Sequence, residues 1–486
     1  MPEKIFNSIT TGTCSGRDNY MDKRKIKKAL VIGTGAAAGK MAISLAGRKA
    51  IDKTTDRVVK ILLEDLYDEN MWEFYSSTWR IGIQNLIETK LRASAPVALH
   101  RPTGSPRRFP GFEEILFSIA QLHTMPTQLE EPVDISVTIG KKAARPFTID
   151  LPVMIAHMAY GLSLSRKAKV ALAKGAAMAG TSTGSGEGPF LPAERKAAKY
   201  MIYQYNRGDW GNTPEIIRQC DAVEIQLGQG AESGVGFVFE AHRMDGELRK
   251  AFGYPKGKDA VAHSRHPEVN RPEDLKKLVD KLREIAEGAP VGVKLAAGKF
   301  LESDLQVVCE AGVDFISLDG AEAATKASSP ILQDDFGVPL MFAIRRAAVW
   351  LEKNNYKDKI TLLAGGKIRT PGEMLKACAL GADAVYIGII ALFAMSHTQV
   401  LKAMPFEPPT QIIWYDGKES PKLNVEQGAK ALFNFLQACK GELNEGIRGL
   451  GKTSLKEVDM NDLMATSELV AKGLGIPMVY EPVVPI

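Results

Sequence analysis

The sequence predicts an α/β protein built on a (β/α)8 TIM barrel, with a mainly helical N-terminal extension. Three observations predict it. After Pro146, short runs rich in Val and Ile alternate with amphipathic helical stretches. The runs are apolar throughout rather than at every second position, which is the pattern of parallel strands covered on both faces. About eight strand positions fall within roughly 240 residues, a length that suits one such barrel. With 45% apolar and 24% charged residues, the composition excludes a disordered or fibrous chain.

The elements follow in order. Residues 1–60 hold 13 Lys/Arg against 5 Asp/Glu, so a chain of net charge +5 carries +8 there and is acidic elsewhere. Such an arm suits an anionic membrane surface or an acidic partner, or is a solvated terminus. Its basic residues are not interleaved with aromatics, so no nucleic-acid partner is expected. Ala29–Ala46 is the most apolar early run, and three readings stay open. It is short for a membrane anchor and contains Lys40. Gly33, Gly35 and Ala38 match a dinucleotide loop, but no second strand ending in an acid follows. The third reading is a buried or partner-facing helix. Residues 56–95 have helical periodicity through Val58, Ile61, Leu62, Leu66, Ile81, Ile83, Leu86, Ile87 and Leu91. RPTGSPRRFPG (101–111) reads as the boundary between an extension, 1–111, and a barrel with a C-terminal helical segment, 112–486.

Strands are expected at 151–156, 221–227, 289–296, 313–320, 359–366 and 383–389, with two shorter ones at Ala179–Ser182 and near Ala260–His263. Helices are expected at 165–180, 271–288, 302–312 and 370–381. Cys14, Cys220, Cys309, Cys378 and Cys439 lie far apart, without CxxC or a Cys/His cluster. That excludes a disulfide scaffold, a zinc ribbon and an ordinary iron–sulfur ligand run. No metal is expected, and the compartment reads as reducing and cytoplasmic, with the basic arm allowing membrane association.

In this fold the chemistry sits at the C-terminal ends of the strands. Those ends gather His157–Gly161, the loop Gly180–Gly188, Glu224, Gln229, Lys294, Asp319, Gly365, Gly366 and Gly388. The last glycines, with a helix starting at Pro371, suit an anion held by backbone N–H groups, although glycines also simply turn a chain. Lys294 lies within an apolar run, where it is either an internal ion pair or a cation beside a flavin ring that stabilises negative charge. Glu187 is a general acid, a gate or a solvated loop acid. His263 and His266 either line the pocket or pack.

MAYGLSLSRKAKVALAKGAAMAGTSTGSGEG, LGQGA at 227–231, RHPEVNRPEDL, VGVKLAAG, the GGKIRTPGEML…LGADAVYIG block and GKTSLKEVDMNDLMA occur in that order. Together they resemble the FMN-binding domain of glutamate synthases and its stand-alone relatives, including the N-methylglutamate synthase subunit, from about Phe112 to the C-terminus. The resemblance implies FMN on Met158 and Ala159, near Thr181, Ser182, Glu224 and Lys294, with its phosphate at Gly365, Gly366 and Gly388. It implies Glu187, Lys294 and His266 in catalysis, and Tyr160, Gln229, Glu232, Asp319 and Lys326 around the substrate. The implied reaction is reduction of a 2-imino acid, formed from 2-oxoglutarate and ammonia or an amine. Electrons come from a separate donor, a ferredoxin or an NAD(P)H-dependent reductase subunit, and ammonia from another subunit, in an oligomer. An electron-relay or scaffold subunit, or a barrel with altered or lost catalysis, are the alternatives. The departures from the family pattern are Glu232 in place of a Lys, bulk at Ala321–Lys326 in place of a Gly-Gly-Thr loop, Glu224 where a Gln is frequent, and His157 where a small residue is usual.

Overall fold

The computed structural model describes residues 45–64, 66, 71–232, 235–323, 328–404 and 408–482. Much of Ala29–Ala46 therefore lies outside the described residues, as does Lys326. Two compact units divide between Val97 and Ala98. In the first, helices span 45–64, Met71–Ile81 and Ile83–Ser94. Gly82, with φ 86°, breaks the chain between the latter two. The segment 98–111 belongs to the second unit. Its composition suggests a linker, but an ion pair and a hydrogen bond tether it: Arg101 Nη1 donates to Asp334 Oδ1 at 2.7 Å and Ser105 Oγ to the same oxygen at 2.6 Å.

The second unit is a barrel of eight parallel strands: β1 (Val153–Ile155), β2 (Ser182–Gly184), β3 (Tyr200–Tyr205), β4 (Ala222–Gln226), β5 (Val291–Ala296), β6 (Phe315–Asp319), β7 (Thr361–Gly365) and β8 (Ala384–Ile387). Hydrogen bonding runs in the order β1-β8-β7-β6-β5-β4-β3-β2. At the seam between β1 and β2 a side chain completes the ring, with Thr181 Oγ1 donating to the Val153 carbonyl at 2.6 Å. A helix follows each strand: α1 (Arg166–Met178), α2 (Pro192–Ala197), α3 (Pro214–Ile217), α4 (Asp274–Ile285), α5 (Leu301–Glu310), α6 (Leu340–Lys353), α7 (Pro371–Ala379) and, after β8, the short α8 (Ile389–Ser396). The long α9 (Val425–Gly449) packs on α1 and α7 and closes the outer layer.

Helix faces explain the packing. In α4, Leu275, Leu278, Val279 and Leu282 recur at helical spacing and are buried. Each such side chain contributes about 1.5–3 kcal/mol of burial. The N-terminal end of the barrel is covered by a hairpin, Val137–Ile139 with Phe147–Ile149, whose Gly140 N–H donates to Thr361 Oγ1 at 3.2 Å.

One expected strand is corrected. Ala260–Ala262 pairs antiparallel with Phe237–Phe239, in a ribbon outside the barrel within the loop after β4. The missing barrel strand is Tyr200–Tyr205, whose tyrosines and glutamine lack the aliphatic run that marks the other long strands. Tyr and Gln fit there because Tyr203 is buried against the helix layer while Gln204 faces the interior beside Glu224.

Candidate functional site

A cavity of about 630 Å³ opens at the C-terminal ends of the strands, within the roughly 300–1,000 Å³ usual for small-molecule sites. Of the residues singled out above, His157, Met158, Ala159, Glu187, Gln229, Glu232, Lys294, Asp319, Gly365, Gly366 and Gly388 line it. Thr181 and Ser182 do not, since Thr181 closes the barrel seam and both are buried in the wall. Tyr160 packs in a satellite core with Trp210 and Leu248, away from the cavity. His266 lines a separate cavity of about 280 Å³, stacked on Tyr205 at 5.3 Å. Its Nδ1 accepts from the Glu268 N–H at 3.2 Å, and burial pushes its pKa down to about 4.

Two glycine-rich strand ends form one side of the cavity. Gly366 has φ 148°, which a side chain would strain, and a Cβ at Gly365 would lie 2.5 Å from Asp319 Oδ1. The helix expected to offer its N-terminus, α7, is already capped: Thr370 Oγ1 accepts from the Glu373 N–H at 3.2 Å. The open N-terminus is that of α8. Gly388 provides no side-chain cap there, and Ile389 and Ile390 line the cavity. Its first N–H groups form an anion cradle with Gly365 and Gly366.

Lys294 crosses the cavity floor. Its Nζ donates to Asp319 Oδ1 at 3.1 Å and lies 3.0 Å from Oδ2, and Asp319 Oδ2 accepts the Gly230 N–H at 3.2 Å. The two alternatives for Lys294 are thus not exclusive, because it is an internal ion pair and it faces the cavity. Burial works against its charge, but Asp319 and Glu224 more than offset this and hold the ammonium above its ordinary pKa.

Beneath Lys294 lies a polar layer centred on Glu224, which is fully buried and does not itself line the cavity. Its Oε1 accepts from Gln204 Nε2 at 2.9 Å, its Oε2 accepts from Ser317 Oγ, and His157 Nε2 stands 3.4 Å from Oε2. Tyr386 OH is 3.2 Å from the same His157 nitrogen. Burial opposes the Glu224 charge, yet His157, Lys294 and Ser317 outweigh it and hold the carboxyl down at about 2.

Opposite the glycines, Glu187 accepts two hydrogen bonds from the buried Arg207, Nε to Oε1 at 3.0 Å and Nη2 to Oε2 at 3.1 Å. This bidentate geometry is that of a carboxylate locked to a guanidinium, which suits a fixed wall better than a proton donor. Nearby, Gln229 Nε2 donates to Glu232 Oε2 at 2.5 Å. Sequence reasoning did not single out Arg207, Gln204, Ser317, Tyr386 or Gln226. A signal exists for several of them: polar residues two apart in otherwise apolar strands, Glu224 with Gln226 and Ser317 with Asp319, mark the inward face.

The family model for the conserved region in glutamate synthase matches residues 112–453. The chain belongs to the glutamate synthase family. A glutamate synthase large subunit-like protein of Rhizobium meliloti is 30% identical over 413 residues, 81% of this chain and 93% of that protein. An archaeal-type glutamate synthase (NADPH) of Thermotoga neapolitana is 31% identical over 379 residues, 73% of this chain and 74% of that one. Among solved structures, a flavocytochrome b2 variant with sulfite bound has a TM-score of 0.49 at 17% identity, covering 77% of this chain and 83% of that one. The protein is thus an oxidoreductase of the glutamate-synthase type.

FMN is the cofactor this family implies, and the residues present fit it. The glycine cradle meets an uncapped helix N-terminus, as a phosphate requires. Gln226, in register beside Lys294, has both amide atoms buried without a partner, although it does not line the cavity. Among the described residues no cluster of three His, Cys, Asp or Glu side chains forms a metal site, and no helix is long and apolar enough to cross a membrane.

Proposed function

We propose that this protein reduces a 2-imino acid at an FMN site, with electrons from a separate donor. The observation that carries the reading is Lys294, a buried ammonium held by Asp319 on the floor of a cavity that also holds an anion cradle. FMN, when bound, supplies hydride chemistry to the α-carbon. The chain's own groups supply electrostatics and position. Gly365, Gly366, Gly388 and the α8 N-terminus hold the phosphate. Lys294 offsets negative charge on the cofactor as electrons are loaded. Glu232, fixed by Gln229, presents a carboxylate suited to an iminium cation. The balance is simple: a 2-oxo acid and ammonia or a primary amine condense with loss of water, and two electrons with two protons complete the amino acid. The electrons come from a ferredoxin or an NAD(P)H-dependent reductase subunit and the ammonia from a partner subunit, in an oligomeric assembly.

The test begins with the visible spectrum of the purified protein and identification of any chromophore released by heat. Stoichiometric FMN, then amino-acid formation from 2-oxoglutarate with ammonium or methylamine under dithionite, supports the reading. A flavoprotein without turnover would favour a relay subunit. A colourless protein that refuses added FMN would end the proposal.

A further inference from the structure

Two of the positions that depart from the family pattern, His157 and Glu224, are neighbours in space. His157 follows β1 and Glu224 lies in mid-β4, yet His157 Nε2 is 3.4 Å from Glu224 Oε2 and both side chains are fully buried. The barrel makes room for the ring through Gly184, where a Cβ would come within 2.0 Å of His157 Nδ1. We propose that His157 is a positioning residue: its Nε2 holds the Glu224 carboxylate as an anion under the cavity floor, so that the two residues set the floor's charge as a pair. This rests on the FMN reading only for its effect on the cofactor, not for the pairing itself.

The charges explain the consequence. Lys294 is flanked by two carboxylates, Asp319 in contact and Glu224 below. Gln204, Ser317 and Tyr386 are neutral members of the layer. A Glu224 carboxylate deprived of the imidazole would lean on Lys294 instead and leave less of the ammonium's field for negative charge arriving on a bound cofactor. His157 thereby acts through Glu224 and Lys294 on the ease of reduction.

The experiment uses the full chain and a double-mutant cycle of His157→Ala and Glu224→Gln. In FMN-loaded protein poised at about pH 8.5, where Glu224 is ionised with or without the imidazole, against a reference dye under dithionite, His157→Ala lowers the ratio of reduced to oxidised flavin about tenfold, the equivalent of one pK unit of lost interaction. In the Glu224→Gln background the same change has no effect. Carbon-13 NMR of the Glu224 carboxyl in the cofactor-free protein provides the second arm. The carboxyl stays ionised from about pH 4 to about pH 8 in the parent and takes up a proton within that range in His157→Ala. Equal shifts of flavin ratio in both backgrounds, or a Glu224 carboxyl unmoved by His157→Ala, would overturn the pairing. If the alanine variant does not fold, His157→Gln, which keeps an N–H donor, is carried through both arms and gives a smaller shift of the same sign. Failure of the parent to take up FMN would end the cofactor reading alone, because the NMR arm still decides the role of His157.

Discussion

Among the described residues the barrel buries two lysine–carboxylate pairs, and although burial pushes both acids up, their lysines behave in opposite ways. Lys169 in α1 lies 2.8 Å from Glu194 in α2, both about 1% exposed, on the outer side of β2. Burial there pushes the lysine down and the acid up to about 7, so each partner drifts toward its neutral form. Lys294, nearly as buried, is held charged because a second carboxylate, Glu224, stands behind Asp319. Burial of a titratable pair is therefore not what marks the site. The mark is a surplus of compensating charge on a group that faces a cavity.

Substitutions sharpen that contrast. Lys169→Met removes the partner of Glu194 and the donor to the Gly184 carbonyl at 2.8 Å. A loss of about 3–5 kcal/mol in urea unfolding is expected, with flavin reduction kinetics unchanged in the protein that remains folded. A loss under about 1 kcal/mol would show that the pair is already neutral in effect. Lys294→Met has the reverse signature. Flavin reduction slows by about 10²–10³-fold, while stability falls less, since Asp319 keeps the Gly230 N–H and borders an open cavity. Stopped-flow kinetics would separate the two, and unchanged reduction rates would remove Lys294 from the mechanism.

His266 extends the comparison to a buried titratable group beside a different cavity. Its folded pKa of about 4 lies below the ordinary histidine value of 6.5. Between these values the unfolded chain binds a proton that the folded chain refuses, so stability is full above about pH 6.5 and is lost as pH falls toward about 4. The loss is about 3 kcal/mol, and His266→Gln abolishes that slope in pH-dependent urea melts. A slope that survives the substitution would assign it to other groups.

How much of this was legible in the sequence depended on which face of a strand carried the signal. Strands packed against helices advertise themselves through Val and Ile, and six of the eight were visible as apolar runs. Tyr200–Tyr205 was not, because tyrosines and glutamine do the packing, and the weaker Ala260–Ala262 was counted in its place. The glycine cradle was legible because the backbone conformation demands Gly at 366. Its helix was misread, since nothing in the sequence shows that Thr370 already caps α7 while α8 is left open. Arg207 was invisible because its partner lies 20 residues away on another loop. Thr181, which the resemblance put near the cofactor, spends its hydroxyl on the barrel seam, a role that no local pattern signals.

The smallest effect concerns Glu232, the acid held by Gln229 on the cavity wall. Glu232 is 3% exposed and bound by Gln229, and Arg207 nearby feels its charge as well as that of Glu187. One guanidinium thus faces two carboxylates, which leaves this wall of the cavity negative, against the positive floor at Lys294. On the proposed function, that wall would repel a 2-oxo acid with a second carboxylate more than one with a single carboxylate. Glu232→Gln keeps the shape and the hydrogen bond while removing the charge. Its KM for 2-oxoglutarate should fall about tenfold, roughly 1.4 kcal/mol, while the KM for a monocarboxylic 2-oxo acid changes less. Equal changes for both acids would place Glu232 outside the substrate's second carboxylate, and the two walls would then differ in charge without differing in what they select.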